Sequence, residues 1–228
     1  MKKLKYKLLT ICSITIIILF INLVLIDWYE IPSNSMAPTL NLGAVVIISR
    51  GLKQNSIASK IMSINIKKKD IIVFIKPEWN KTIPDSKVYV KRCIGLPGDT
   101  VRLHHQRDQP NVSLIPGQQA VMYLFPQDTL FNCWTLTDYG PFIVPKKNQS
   151  LPLTEYNVRL YKTLIQFENE TFEYKSGKVF IHGKVIAMYT FNHNYYFMIG
   201  DNFLQSEDSR YWGCVPDVSL LGKVIWHS

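Results

Sequence analysis

The sequence predicts a mainly β protein: an antiparallel sheet core with an inserted, helix-containing subdomain, preceded by one N-terminal transmembrane helix. Three observations predict it. Short runs of branched and aromatic residues recur, one segment has the apolar spacing of a helix, and a long uncharged run follows a basic N-terminus. The 228 residues suffice for one well-buried domain with a sizeable insertion, and a composition of 47% hydrophobic residues excludes a disordered chain.

The β prediction rests on runs that have strand composition and are separated by turn residues. They are residues 44–49, 70–75, 88–94, 100–103, 178–181, 185–190, 195–199 and 224–226. The turn LPGD at 96–99 joins two of them. Its Pro pre-sets the first central position, and Gly98 tolerates the positive φ that a type II turn requires.

One segment between the strands has helical spacing instead. Its apolar residues fall on one face of a short amphipathic helix: Tyr156, Leu160, Leu164, Ile165 and Phe167. The surrounding stretch, residues 104–177, is richer in Pro, Asn and Gln than its flanks, which is typical of an insertion. The predicted organisation is therefore a basic tail at 1–7, a transmembrane helix at 8–26, a β core at 27–103 and 178–228, and an inserted subdomain at 104–177.

The predicted span, LLTICSITIIILFINLVLI at residues 8–26, approaches the ~20 residues that a helix needs to cross a membrane. The alternative is a cleavable secretory signal. The run is longer than the ~7 to 15 apolar residues of such a signal, and no A-x-A-like cleavage site follows it. We therefore interpret it as an anchor, with Trp28 and Tyr29 as an aromatic belt at the lipid interface.

Charges on either side of this run predict its orientation. Four lysines at positions 2, 3, 5 and 7 precede it, whereas Asp27 and Glu30 follow it. The positive-inside rule then places the N-terminus in the cytoplasm and the rest of the chain outside. The prediction is a single-pass protein of the inner (plasma) membrane, with the lipid bilayer as a partner and the domain on the periplasmic or extracellular side.

The net charge of +9 does not indicate nucleic-acid binding, because the basic tail supplies four of these charges and no nucleic-acid motif accompanies the rest. The run 67–69 is interpreted as a solvated loop. Metal and cofactor are not expected, since the four cysteines show no C-x-x-C and no zinc spacing. Cys12 lies in the apolar run, so at most one disulfide is expected among Cys93, Cys133 and Cys214, with the pairing open.

Three polar segments interrupt the apolar pattern. They are IPSNSMAPTL at 31–40, YVKRCIGLPGD at 89–99 and GDNFLQSEDSRYWG at 200–213. Taken singly, each has an ordinary structural interpretation: a Ser/Pro turn, an edge-strand lysine, and a loop held by an Asp208–Arg210 ion pair. Their order after an N-terminal anchor is more informative than any one of them.

In that order the three segments resemble the signature boxes of type I signal peptidases. The family patterns are Pro-Ser-x-Ser-Met-x-Pro-Thr-Leu, Lys-Arg-x-x-Gly-x-Pro-Gly-Asp and Gly-Asp-Asn…Ser-x-Asp-Ser-Arg-x-Trp-Gly. The strand DIIVF at 70–74 resembles the family strand before the lysine. The likeness covers about residues 29–103 and 178–228, and nothing is carried onto the insertion.

The resemblance implies a membrane-bound serine endopeptidase that removes signal peptides from exported preproteins, cutting after small residues at −1 and −3. The implied roles are Ser35 as nucleophile, Lys91 as general base, Ser33 with the Ser35 backbone N–H as oxyanion hole, Ser206 as orienter of the amine, and Asp208 with Arg210 as brace of the loop. The chemistry agrees, because a serine hydroxyl needs an adjacent base and an amine acts as one only when neutral. No His lies in a triad motif, and a G-x-S-x-G elbow is absent.

One part of the third box departs from the family. Phe203, Leu204 and Gln205 stand where the family usually has Arg-Asp-Asn, which puts the local ion pairing in question.

An extended substrate is expected to pair along the strand at Tyr89 and Val90, with alternate side chains entering shallow apolar pockets. The residues predicted to line these pockets are Ile31, Met36, Leu40, Phe74, Tyr89 and Val90. Two alternatives stay open: a dedicated maturation peptidase with the same dyad, and an envelope binding module that has lost catalysis. Retention of both Ser35 and Lys91 argues against the second.

Overall fold

The computed structural model of the chain describes residues 2–20, 25–52, 65–77, 87–104, 138–169 and 171–228. The helices in these residues are α1 (Lys2–Phe20), α2 (Glu155–Glu168) and α3 (Ser209–Trp212). The strands are β1 (Ile26–Glu30), β2 (Val45–Ser49), β3 (Ile71–Ile75), β4 (Val88–Gly95), β5 (Thr100–His104), β6 (Asp138–Ile143), β7 (Ser150–Pro152), β8 (Glu173–Lys175), β9 (Lys178–Ile181), β10 (Lys184–Ile186), β11 (Met188–Thr190), β12 (Tyr195–Ile199), β13 (Val215–Pro216) and β14 (Leu220–His227).

A seven-stranded antiparallel sheet with the order β1-β2-β14-β3-β4-β12-β13 forms the centre of the fold. Smaller antiparallel sheets pair β10-β9-β8, β11-β7 and β5-β6. The mainly β prediction is confirmed, and each of the eight predicted runs contains a strand. The run 185–190 is divided at Ala187 into β10 and β11. Strands β1, β6, β7, β8 and β13 were not predicted. Strand β13 has only two residues, which are too few to show an alternation of apolar and polar side chains.

The C-terminal boundary of the predicted N-terminal span differs from the structure. Helix α1 is described over Lys2–Phe20, residues 21–24 lie outside the described residues, and Ile26, which we placed at the end of the span, is the first residue of β1. Within α1, the Thr10 and Thr15 hydroxyls donate to the carbonyl oxygens of Tyr6 and Ile11 at 2.9 Å. Among the described residues, no helix is both long and apolar enough to cross a membrane. The transmembrane span therefore stays a prediction.

Strand β4 positions the site because it is central and alternates between two faces. It pairs with β3 along Val88 to Arg92, whereas the pairing with β12 begins only at Arg92. Alternate residues of β4 point to opposite faces. Tyr89 and Lys91 share one face, and Val90 packs on the other against the cluster under the first polar segment.

The LPGD turn after β4 has the predicted conformation. Gly98 has a φ of +92°, and the Asp99 N–H donates to the Leu96 carbonyl at 2.9 Å. The Asp99 carboxylate accepts from the Leu96 N–H at 2.7 Å, so the turn is closed from both sides.

Apolar residues form three clusters, one of which contains the predicted helix. The buried residues of α2 are Val158, Leu160, Tyr161, Leu164 and Ile165. The helix is confirmed, although Tyr156 is exposed and Phe167 makes an edge-to-face contact with His193. This cluster includes residues of β9, β11 and β12, so the described part of the insertion shares its core with the strands that follow it.

Two of the four cysteines bear on the disulfide question. Cys93 and Cys214 are buried and free, so neither forms a disulfide, and burial raises the pKa of the Cys93 thiol to about 12. Cys133 lies outside the described residues.

Glu168, at the end of α2, joins the helix to the segment between β11 and β12. Its carboxylate accepts from the hydroxyls of Tyr189 at 2.5 Å and Tyr195 at 2.9 Å. It also accepts from the backbone N–H groups of Asn192 at 2.9 Å and His193 at 3.2 Å. One side chain thus satisfies four donors from a neighbouring element.

We expect Glu168→Gln to lower the free energy of unfolding by about 1 to 3 kcal/mol, because the amide loses the charge that strengthens these bonds and turns its NH2 group towards one tyrosine hydroxyl and one backbone N–H. Denaturant titration with both variants measures this. The matched control is Glu155→Gln on the same helix, where an exposed pair with Arg159 contributes at most about 0.5 kcal/mol. Equal changes in the two variants would contradict the assignment.

Candidate active site

The predicted nucleophile lies in a short 3-10 turn, Asn34–Met36, that follows β1. Ile31, Met36 and Leu40 anchor this segment by packing into one apolar cluster. The Ala37 N–H donates to the Asn34 carbonyl at 3.1 Å and closes the turn, and the Leu40 N–H donates to the Met36 carbonyl at 2.9 Å in the residues that follow. Burial of these apolar neighbours leaves Ser35 between them at the wall of a cleft.

Lys91 reaches the same point from β4. Its Nζ lies 2.5 Å from Ser35 Oγ, and the residue is only 3% exposed. Burial disfavours the ammonium form and lowers the pKa of Lys91 to about 8, although the carboxylates of Asp208 and Glu207 act in the opposite direction. The amine is therefore neutral in a useful fraction of molecules near neutral pH, and a neutral amine can accept the Ser35 proton.

Ser33 lies next to the predicted nucleophile. Its backbone is extended, with a φ of −154°, and its hydroxyl donates to Ser35 Oγ at 3.2 Å. Ser33 is exposed and lines the same cleft. The Ser33 hydroxyl is thus close enough to donate to an oxyanion that would develop next to Ser35 Oγ.

Asp208 and Arg210 form a buried pair behind the lysine, and neither side chain is exposed. Arg210 Nε and Nη2 donate to the two oxygens of Asp208, each at 2.8 Å. The same carboxylate accepts from the backbone N–H groups of Arg210 at 3.2 Å and Gly200 at 3.1 Å. The pair therefore holds both ends of the loop that contains it.

Gly200 brings this loop against the nucleophile segment. A Cβ at this position would lie 2.1 Å from Ser206 Oγ and 2.4 Å from the Ser35 carbonyl oxygen, closer than real Cβ contacts. Asn202 completes the junction: its backbone N–H donates to the Ser35 carbonyl, and its Nδ2 donates to the Asn34 carbonyl, both at 3.1 Å. Only glycine at position 200 allows this approach of two backbones.

Ser206 is buried at 1% exposure, between Gly200 and the dyad. Within the part of the chain that the structure describes, its Oγ has no hydrogen-bond partner. The predicted hydrogen bond from Ser206 to the Lys91 amine is therefore not formed here, because the hydroxyl packs against the Gly200 backbone. Its orienting role stays a prediction.

The departure in the third box is accommodated by a different interaction. The Phe203 ring lies under the Arg210 guanidinium at 3.9 Å, and the Phe203 carbonyl accepts from Arg210 Nη2 at 2.5 Å. Stacking on an aromatic face suits the planar guanidinium. Gln205 accepts from Asn202 Nδ2 at 3.1 Å. The cation–π contact of Phe203 and the side-chain hydrogen bond between Asn202 and Gln205 thus stabilise this loop at the positions where the family pattern has Arg-Asp-Asn.

A second ion pair at the site was not predicted. Arg92, next to the lysine, donates from Nε to Asp201 Oδ1 at 2.7 Å and from Nη2 to Asp201 Oδ2 at 2.5 Å. Burial alone would raise the pKa of Asp201, but the bidentate Arg92 lowers it below its usual value. Arg92 stands in the second family pattern and Asp201 in the third, so the sequence contained both members of the pair but gave no sign that they meet.

The cleft beside Ser35 and Lys91 has a volume of about 520 Å³. Four of the six residues predicted to bind substrate line it: Ile31, Met36, Tyr89 and Val90. Leu40 and Phe74 lie elsewhere than predicted, because both are 0% exposed in core clusters, Leu40 under the nucleophile turn and Phe74 against Trp212. Gln205 and Glu207 line the cleft without having been predicted.

Comparison with known families agrees with this geometry. The family described as "Signal peptidase, peptidase S26" matches residues 4–120 and 186–227. The chain belongs to the S26 signal peptidase family. Its relatives include signal peptidase I of Buchnera aphidicola subsp. Schizaphis graminum, 28% identical over 93% of this chain and 71% of the relative. Signal peptidase I of Pseudomonas aeruginosa is 27% identical over 93% and 68%, and that of Aquifex aeolicus is 27% identical over 94% and 81%.

We expect Ser33→Ala in this S26 family member to lower kcat by roughly 100- to 1000-fold with little change in KM. The reason is that the hydroxyl would act on charge that develops only in the transition state. Steady-state kinetics on a preprotein substrate measures both constants. An effect confined to KM would mean that Ser33 shapes the turn alone.

Proposed function

We propose that this chain is a membrane-bound serine endopeptidase that removes N-terminal signal peptides from exported preproteins, with Ser35 as nucleophile and Lys91 as general base. The observation that carries the proposal is the 2.5 Å approach of a buried Lys91 Nζ to Ser35 Oγ at the wall of a cleft. Membership of the S26 family and relatives named signal peptidase I support the same substrate class.

The reaction follows from the positions of these groups. The Ser35 hydroxyl gives its proton to the neutral Lys91 amine while Oγ attacks the scissile carbonyl carbon. The carbonyl oxygen becomes an oxyanion, which the Ser33 hydroxyl and the Ser35 backbone N–H stabilise. Lys91, now an ammonium, protonates the departing amine, which leaves an acyl group on Ser35. Water, deprotonated by Lys91, then hydrolyses that ester.

The substrate lies extended along β4, where β12 no longer covers the strand. Side chains of an extended peptide alternate, so that every second one faces the cleft wall. Ile31, Met36 and Val90 make that wall apolar and close to the dyad. Small residues at −1 and −3 fit such a shallow surface, and this is the cleavage preference we propose.

The catalytic domain lies on the outer face of the inner (plasma) membrane, with the N-terminus in the cytoplasm. The lysines before the apolar run and the acids after it support this orientation. Trp28 in β1 is 69% exposed, as expected for a side chain placed at a lipid interface. A single-pass topology brings the cleft close to the bilayer, where signal peptides end.

For the orientation, we expect protease added to intact spheroplasts to digest the domain after Asp27 and to spare residues 1–7. The physical reason is that a basic segment resists translocation. Epitope tags at either end, followed by immunoblotting, report the outcome. Protection of the C-terminal tag in intact cells, with digestion after lysis, would reverse the proposed orientation.

For the general base, we expect kcat/KM to rise with pH through an ionisation at about 8, because only the neutral Lys91 amine can accept a proton. Lys91→Arg is expected to lose at least about 100-fold, as much as Lys91→Ala, since a guanidinium keeps its proton. Processing of a synthetic preprotein by the purified chain measures both.

The control for this experiment is Ser35→Ala, which keeps the lysine and removes the nucleophile. Folding of each variant is verified by its denaturation midpoint. Turnover by Lys91→Arg near the wild-type level would exclude the dyad. An inactive wild-type chain with an intact fold would favour a binding module, and activity restricted to one preprotein class would favour a dedicated maturation peptidase.

A further inference from the structure

Three carboxylates act on Lys91: Asp208, Glu207 and Asp201 each raise its pKa, against the effect of burial. Within the described residues, none of them forms an ion pair with Lys91 itself. Each is held by another cation instead. Asp208 pairs with Arg210, Asp201 pairs with Arg92, and Glu207 pairs with Lys76.

The Lys76–Glu207 pair differs from the other two in its exposure and in the place of its carboxylate in the family pattern. Asp208 and Arg210 are fully buried, and the Asp201 side chain is 15% exposed, whereas the Glu207 side chain is 53% exposed. Glu207 occupies the variable position of the Ser-x-Asp-Ser-Arg pattern. It lines the same cleft as Lys91. A half-exposed carboxylate on that wall is less constrained by packing than the two buried ones.

The geometry shows what restrains it. Lys76 Nζ lies 2.5 Å from Glu207 Oε1, and the Tyr89 hydroxyl lies 3.5 Å from Glu207 Oε2. Lys76 follows β3 and its N–H donates to the Lys87 carbonyl at 3.1 Å, so Lys76 stands opposite Lys87. Residues 87, 89 and 91 share one face of the sheet, because side chains alternate along a strand.

Tyr89 therefore separates the two lysines along this face. The Nζ atoms of Lys76 and Lys91 both lie 5.6 Å from the centre of the Tyr89 ring. The ion pair with Lys76 and the hydrogen bond from the Tyr89 hydroxyl hold the Glu207 carboxylate towards the end of this face where Lys76 and Lys87 lie.

We propose that Lys76 is a positioning residue for the reaction: by holding the Glu207 carboxylate in its own ion pair, it prevents that carboxylate from becoming the counter-ion of Lys91. This inference rests on the proposed function, because a counter-ion matters only if Lys91 must be neutral. Lys76 thus does for Glu207 what Arg210 does for Asp208 and Arg92 does for Asp201.

The charged groups around Lys91 come from four segments. Lys87 before β4 lines its cleft, and Asp201, Glu207, Asp208 and Arg210, on the loop that precedes and enters α3, act on its charge. Lys76 after β3 and Arg92 on the opposite face of β4 hold Glu207 and Asp201. Of the three pairs that hold these carboxylates, Lys76–Glu207 is the most exposed, with side chains 27% and 53% exposed. It is therefore the pair whose electrostatic effect can be tested separately from folding.

The test compares the pH dependence of kcat/KM in the wild type, Lys76→Met, Glu207→Gln and the double variant. We expect Lys76→Met to move the ionisation upwards by about half a unit and to lower kcat/KM at pH 7 about threefold, with the high-pH plateau kept. Glu207→Gln is expected to move it downwards. The double variant is expected to match Glu207→Gln, because without the carboxylate Lys76 has nothing to hold.

The matched control is Lys68→Met, which removes an equal charge from another half-exposed ion pair, that with Asp99 at 3.1 Å, and is expected to leave the profile unchanged. The pKa of Lys91 is also read directly by NMR of isotopically labelled lysine, with Lys91→Ala used for assignment. That reading needs no turnover, so failure of the proposed function and failure of this inference are distinguishable.

Two results would overturn the inference. The first is an unchanged ionisation in Lys76→Met. The second is an upward shift of the same size when Lys76→Met is introduced into Glu207→Gln, since Lys76 would then act through its own charge. An upward shift in the single variant that vanishes in the double variant supports the assignment.

Discussion

The site depends on one constraint: an amine within 2.5 Å of Ser35 Oγ must lose its charge to accept a proton. Burial is the largest influence that lowers the pKa of Lys91 and the charge of Arg210 adds to it, but the loop beside Lys91 contains acids that favour the ammonium. The structure resolves the conflict by giving those acids other cations. Arginines hold the two more buried ones, since a guanidinium binds a carboxylate in two places and does not deprotonate.

Strand β4 connects this electrostatic arrangement to the fold. Side chains of neighbouring residues in β4 lie on opposite faces of the sheet. Lys91 points towards Ser35, whereas Arg92 points away from it and binds Asp201 and the Lys69 carbonyl. Because β12 pairs with β4 only from Arg92 onwards, the preceding part of the strand is bordered by the cleft. A shift of one residue in register would exchange the base and its neighbouring arginine.

Much of this could be predicted from the sequence, and the reasons for the rest are physical. Alternation and turn residues located nine of the fourteen described strands, and three motifs in order predicted Ser35 as nucleophile and Lys91 as base. Apolar character, however, does not distinguish a cleft wall from a core. We therefore predicted Leu40 and Phe74 in the wall of the cleft, whereas both are buried in the core. Ion pairs such as Lys76–Glu207 join residues 131 positions apart, and no local pattern records them.

The replacement of the usual Arg-Asp-Asn by Phe203, Leu204 and Gln205 leaves the brace intact for a related reason. The carboxylate of Asp208 fixes Arg210 from one side, and the Phe203 ring and carbonyl cover it from the other, so the guanidinium keeps its place without a further charge. The same loop contacts the Ser35 carbonyl through Asn202 and lies against it at Gly200. The Ser35 carbonyl belongs to the same residue as the N–H proposed for the oxyanion hole. The loop that contains Asp201, Glu207 and Asp208 therefore also fixes the backbone of Ser35.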